Sequence, residues 1–319
     1  MHNELLNSAN ISIVSIGDLV ADLILSIPSL PVESEAHQLA THFQMEPGGS
    51  ANLLIAGARL GLSMTAIGVL GDDVWGAQVL TILKEEGVKV ANVRVEGETT
   101  CVTVLVAEEG DHVFLGKVGE GATLHLTQLD QLAIEAGDTL FLSGWALGEE
   151  RLQSLIQDGI KVAHERQVPI FFDPGPMVKN VSQQVLDDLL PHVHTLLLTQ
   201  DELSLLSHLA PAQLLTDPAL NLQSIVIKRG EAGCTVWELD QSKVCIQLDV
   251  PGYTVPVVDI SAAGDCFDAG WIAATLWGWP TKERAAFANA CGAIVVQRLG
   301  GGRAAPTRAE VDALWRSSP

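Results

Sequence analysis

The chain has 319 residues, with 39 acidic and 18 basic side chains and a formal net charge of −21. Such an acidic surface repels phosphate backbones and anionic bilayers, so neither nucleic acid nor membrane is an expected partner. Apolar residues make up 47%, ordinary for a globular protein of a size that needs no cross-links to hold its core.

Cys101, Cys234, Cys245, Cys266 and Cys291 are odd in number and show no C-x-x-C spacing. They read as free thiols in a reducing compartment. The opening MHNELLNSAN lacks the basic and apolar regions of a signal peptide. No stretch approaches the ~20 apolar residues of a membrane span. The expected location is the cytoplasm.

Ile11–Ile16 is an apolar run ending at Gly17-Asp18 and predicts a buried strand. Leu19–Ile27 continues extended. Leu39–Glu46 alternates, with Leu39, Phe43 and Met45 on one face, and predicts a half-exposed strand. Pro47-Gly48-Gly49-Ser50-Ala51-Asn52 then reads as a Gly-Gly turn and a Ser50 N-cap before an apolar helix, closed by Gly61. Asn52 is a polar residue at the mouth of that turn. Thr99–Val106 and His112–Val118 predict a hairpin around 108–111.

Farther on, buried strands alternate with helices. The strands are Thr139–Ser143, Pro169–Phe172, Thr195–Leu198, Ser224–Lys228 and Cys234–Glu238; Leu152–Arg166 and Val181–Leu190 have helical patterns. Strand–helix alternation implies an α/β fold with a mainly parallel sheet covered on both faces. The one-sided β segments, about 18–46 and 97–120, are expected to form a lid inserted into a single domain spanning 1–319.

The most informative stretch is Val258-Asp259-Ile260-Ser261-Ala262-Ala263-Gly264-Asp265-Cys266-Phe267-Asp268-Ala269-Gly270, followed by an apolar helix. Small residues let a ligand approach the backbone, and a helix start presents unpaired N–H groups with about half a positive charge. That is a site for an anion or for charge developing in a reaction. On spacing alone, Asp265 is either a helix cap or a carboxylate close to that anion site.

This stretch resembles the second signature of the PfkB/ribokinase-like carbohydrate kinases, D-T-x-G-A-G-D-x-F-x-A-G. Ile260 and Ala262 stand where the family usually has threonine and glycine. The resemblance implies a ribokinase-like three-layer sandwich with a small β-rich lid. It implies that Asp265 takes the proton of the attacking hydroxyl and that the N–H groups of Ala262, Ala263, Gly264 and Asp265 stabilise the transferred phosphoryl group. Alanine keeps its N–H but is strained if residue 262 has positive φ.

Other stretches resemble the family in the same order along the chain. Gly48, Gly49 and Asn52 resemble its first signature, with a shorter spacing and Leu54 for alanine. Asp22, in G-x-x-x-x-D, is implied to accept from two sugar hydroxyls, as a two-oxygen carboxylate can. Gly71-Asp72-Asp73-Val74-Trp75-Gly76 matches a structural turn, and Phe172-Asp173-Pro174-Gly175 a strand end at the sheet's ligand edge. Thr199-Gln200-Asp201-Glu202 resembles N-x-x-E, which implies that Glu202 acts on Mg2+, through a water. Lys228, Gly230 and Gly233 are implied to run beside the ATP phosphates, and Asn289 and Gly300–Gly302 beside the adenine.

The implied reaction is ATP- and Mg2+-dependent phosphorylation of a sugar hydroxyl, with K+ as a further cofactor in some family members and a homodimer formed through the lids. A nucleoside kinase of adenosine, inosine, cytidine or pseudouridine type competes, with Leu39, Phe43, Val113 and Phe114 over the base. So does a ligand-binding relative with weak catalysis. No G-x-G-x-x-G follows Gly17, and no H-x-x-x-H pair occurs, which argues against a dinucleotide oxidoreductase and a metal hydrolase.

Overall fold

The computed structural model describes residues 12–317 except 36, 108–110, 122, 125–133, 136 and 241. In chain order its elements are β1 (Ser12–Ile16), β2 (Leu19–Ile27), β3 (His42–Gly49), α1 (Ser50–Arg59), β4 (Ser63–Leu70), α2 (Val74–Glu85), β5 (Lys89–Val95), β6 (Thr100–Ala107) and β7 (His112–Lys117). Then follow β8 (Thr139–Ser143), α3 (Gly144–Leu147), α4 (Glu150–Glu165), β9 (Ile170–Asp173), α5 (Gln183–Leu189), β10 (Val193–Thr199), α6 (Gln200–Leu206), α7 (Pro211–Leu215) and β11 (Ser224–Lys228). The chain closes with β12 (Cys234–Leu239), β13 (Cys245–Val250), α8 (Ala263–Leu276), α9 (Thr281–Val295) and α10 (Arg308–Ser317).

Strands buried on both faces need helices on both faces. The nine-stranded sheet, in the order β13-β12-β11-β10-β9-β8-β1-β4-β5, is parallel apart from the antiparallel pairings of β12 with β11 and β13. Side-chain alternation splits it cleanly. Ile13, Phe141, Phe171, Leu197 and Val226 pack under α1, α2, α8, α9 and α10. Val14, Leu140, Phe172, Leu196 and Ile225 pack under α4, α6 and α7. This is the expected three-layer α/β sandwich. Among the described residues, no helix is long and apolar enough to cross a membrane.

The second sheet has four strands in the order β3-β2-β6-β7. Register puts Asp22 and Ile24 on one face with Glu46, Gln44, Val102, Val104 and Phe114. That face meets the body, where Leu299 packs against Ile24 and Val104. Leu25, Phe43, Leu105 and Val113 share the opposite face. Of the four lid residues expected over a base, only Phe114 therefore shares a face with Asp22. Leu39 lies outside the strands and is 86% exposed.

Three local expectations are corrected. β3 begins at His42, not Leu39, and runs to Gly49. Gly48 and Gly49 pair with Val20 and Leu19, so they end a strand rather than form a free turn. The N-cap of α1 is Gly49 at φ 59°, while Ser50 is already helical and its hydroxyl donates to Asp18 Oδ1 at 3.2 Å. Ile11 and the hairpin tip 108–110 lie outside the described residues.

The turn at Gly71–Gly76 joins lid to body through one carboxylate. Asp73 caps α2 by accepting from Gly76 N at 2.8 Å, and it accepts from both the amide and the hydroxyl of Thr99 at 2.8 Å. A Cβ at Gly71 would lie 2.2 Å from Thr99 N, so only glycine fits there. Asp73→Ala is expected to lower stability by about 2–3 kcal/mol, read from urea unfolding.

Candidate active site

The start of α8 lies at the sheet edge reached by β9 and β11. Asp259 fixes its approach: Oδ1 accepts from Ser261 N and Oδ2 from Gly300 N, both at 2.9 Å. Ala262 is left-handed at φ 57°, a conformation that costs a non-glycine residue about 1–2 kcal/mol. No side chain caps α8. Ala263 N–H reaches Ile260 O at 3.3 Å, but the Gly264 amide has no backbone acceptor among the described residues. An open N–H at a helix N-terminus attracts an anion.

Asp265 stands in that first turn, partly exposed. Its Oδ2 accepts from Asn52 Nδ2 at 3.2 Å. Burial and the nearby Asp173 charge push its carboxyl up to about 6, while Lys228 and the Asn52 bond pull it back. At neutral pH it is mainly ionised, as a proton acceptor must be. Asn52 is itself buried, and among the described residues its Oδ1 has no hydrogen-bond partner. A Cβ at Gly301 would lie 2.6 Å from that oxygen.

The expected acceptor residues surround this pair. Gly48 leaves room for Asp22: a Cβ there would lie 2.0 Å from Asp22 Oδ2. Gly49 does the same for the Asp18 carbonyl, at 2.6 Å. Burial, then the charges of Asp265, Glu46 and Asp259, push Asp22 up to about 7. Asp18 rises to about 8, mainly by burial and the charge of Glu149. The loop 299–303 completes the wall. Arg303 pairs with the buried Glu46 at 2.7 Å and donates to Met45 O, while Arg59 holds the carbonyls of Arg303 and Ala305 at 2.7 Å. Gly300–Gly302 thus faces Asn52 and the lid.

The expected nucleotide residues are more committed to the fold than their motifs suggest. Lys228 Nζ contacts Asp173 Oδ2 at 2.8 Å and Asp268 Oδ1 at 3.2 Å, with only 12% of its side chain exposed. It points inward, beneath Gly264, rather than out toward a phosphate. Asn289 is buried and donates to the carbonyls of Val250 and Pro251. A Cβ on Gly233 would lie 2.1 Å from Val250 O, whereas Gly230, at φ 57°, faces open space. Glu202 and Thr199 form a reciprocal capping box at the start of α6. That explains threonine at position 199.

Sequence reasoning assigned no role to Asp18, Asp173, Asp268 or Trp145. Asp268 carried the clearest signal, a second carboxylate one turn beyond Asp265 in a mainly apolar helix. Trp145 is a 47% exposed indole in α3, just after β8 and beside Gly175. Its run, Ser-Gly-Trp, resembles no motif noted in the sequence.

Asp18, Asp22 and Asp265 hold their protons more tightly folded than unfolded. Their contribution to stability is therefore full below the unfolded carboxylate range and is lost as pH rises through about 6 to 8. The melting temperature is expected to fall between pH 5.5 and 8, and to fall less in Asp22→Asn. Differential scanning fluorimetry at the two pH values checks this.

Comparison with known proteins identifies the family and the fold. Residues 10–308 match the family described as pfkB family carbohydrate kinase. A ribokinase of Bacillus subtilis (strain 168) is 29% identical over 314 residues, covering 95% of this chain and 99% of the relative. The fold matches a putative ribokinase II from E. coli in complex with ATP and Mg2+, with a TM-score of 0.80 and 22% identity over 97% of this chain and 100% of that one. It also matches a Burkholderia thailandensis nucleoside kinase in complex with inosine, with a TM-score of 0.78 and 20% identity over 96% of this chain and 98% of that one. With a family match over nearly its whole length, this chain belongs to the pfkB carbohydrate kinases and is a phosphotransferase.

Proposed function

We propose that the cleft transfers the γ-phosphoryl group of ATP to a hydroxyl, a primary alcohol, of a small sugar or sugar-derived molecule. The observation that carries this reading is Asp265, ionisable near neutrality, in the uncapped first turn of α8 and hydrogen-bonded to Asn52.

Asp22, Asn52 and the backbone at Gly48 and Gly49 hold the acceptor. Its hydroxyl gives a proton to Asp265 as its oxygen bonds to phosphorus and ADP departs. The open amide of Gly264 and its neighbours in the turn face the equatorial oxygens, where negative charge must be held. Ala262 keeps its N–H at positive φ, so its substitution for glycine leaves the turn formed. Gly230 leaves open space beside the strand end for the polyphosphate. The Glu202 carboxylate suits Mg2+, a hard cation that prefers oxygen ligands and retains water. When bound, Mg2+ neutralises the polyphosphate charge.

The polar lid face, with Asp22, Gln44 and Glu46, favours a polyol over a base; Phe114 is the aromatic it offers to a nucleoside. The outward lid face bears Phe43, Val113 and Leu115, which are 59%, 39% and 58% exposed. We assign that face to a homodimer, and a monomeric mass in light scattering overturns the assignment. Five free cysteines fit a cytoplasmic enzyme.

ATP turnover over a panel of ribose, fructose, ketodeoxygluconate and four nucleosides, with and without K+, identifies the acceptor and the cation requirement. Asp265→Asn is expected to lose at least ~10² in turnover while remaining folded. Near-normal turnover in that variant overturns the role of Asp265. Binding without turnover across the panel overturns phosphotransfer itself.

A further inference from the structure

Behind Asp265 lies a charge cluster that the reaction as described does not use. Asp173 ends β9, Lys228 ends β11, and β10 runs between them. Asp268 reaches the same point from α8, one turn beyond Asp265. Lys228 Nζ lies 2.8 Å from Asp173 Oδ2 and 3.2 and 3.3 Å from the two Asp268 oxygens. Side-chain exposure is 12% for Lys228, 17% for Asp173 and 0% for Asp268. A Cβ at Gly264 would come within 3.4 Å of Nζ, so the ammonium lies directly under the anion-binding turn.

One lysine faces more carboxylates than it can neutralise. Asp173, Asp268 and Asp265 crowd it, with Glu202 beyond. Burial holds the Asp268 carboxyl well above the usual range, and its hydrogen bond with Asp173 acts in the same direction. Asp268 thus holds its proton more tightly than an exposed carboxylate does. The shorter of the two lysine contacts is the one to Asp173, at 2.8 Å.

We propose that the Asp173–Lys228 ion pair, seated on Asp268, is a positioning device that holds Asp265 ready to accept a proton and props the phosphoryl-binding turn from below. A buried ion pair with its partners satisfied keeps a fixed geometry, whereas loss of one partner strands a charge. Its two halves act on Asp265 with opposite sign: Lys228 favours the carboxylate, and Asp173 opposes it. The other ionisable groups around Asp265 are Asp22 from β2, Asp18 from the end of β1 and Cys266 beside it; Asn52 from α1 is its hydrogen-bond donor. None of these contacts Lys228. The catalytic consequence rests on the phosphotransfer reading, but the effect on Asp265 does not.

The test is a ¹³C titration of the Asp265 carboxyl in the full ligand-free chain, assigned by difference from Asp265→Asn. In Lys228→Met the midpoint is expected to rise by about one unit or more, because the compensating cation is gone. In Asp173→Asn/Asp268→Asn it is expected to fall by a similar amount, because Lys228 then faces Asp265 without competitors. A merely structural cluster gives no such opposition of sign. Shifts in the same direction, or no shift in either, overturn the proposal. If Lys228→Met does not fold, the double variant decides alone, and an upward or absent shift there overturns it. The acidic limb of the kcat–pH profile, measured with the acceptor from the panel, is expected to move with the midpoint. Opposed NMR shifts in a chain without turnover sustain the electrostatic inference and sink the phosphotransfer reading.

Discussion

The bridge made by Asp259 is the constraint on which the cleft depends. One oxygen holds Ser261 N and the other Gly300 N, so a single buried carboxylate sets both the start of α8 and the glycine loop. The loop then leaves room at Gly301 for Asn52 Oδ1, and Asn52 Nδ2 reaches back to Asp265. The circuit closes on the helix where it began. Charge-assisted bonds to backbone amides are among the stronger ones available, and here they act on groups screened from water. The position of the base is therefore inherited, through Asn52, from Asp259 and the glycine loop.

The cleft also concentrates negative charge. Asp18, Asp22 and Asp265 all hold protons above the usual carboxylate range, chiefly because they are buried. The protein stabilises this crowding with helix and backbone N–H groups, one inward lysine and protonation. An anionic donor can approach because the positive groups are local, even though the whole chain is strongly acidic.

Most of the architecture was legible in the sequence. β8 and β11 were located to the residue because buried parallel strands are continuous apolar runs with sharp ends. β3 was placed too early because alternation does not distinguish Leu39, in an extended loop, from His42, in a ladder. Asp265, Asn52 and Asp22 stood out as polar residues beside glycine-rich turns. Lys228 was visible, but its direction was not. A lysine at a strand end reads as a free cation until Asp173 and Asp268, separated in sequence by nearly a hundred residues, are seen beside it. The commitment of Asn289 to the fold was hidden for the same reason, since only the fold shows the two carbonyls that claim its amide. Thr199 seemed a departure from a metal motif, and local capping gives it a reason of its own.

The pairing of Arg303 with Glu46 has a kinetic consequence. The loop that bears Arg303 is fastened to α1 by Arg59, while Glu46 belongs to the lid and is almost wholly buried. Lid and body are therefore latched to each other by this pair. Parting them exposes a buried carboxylate to the loss of its partner, and the work is returned when the latch closes again. Over a complete binding cycle those two quantities cancel, so the latch leaves acceptor affinity almost unchanged. What it governs is residence: how often the cleft admits a molecule, and how long it retains one.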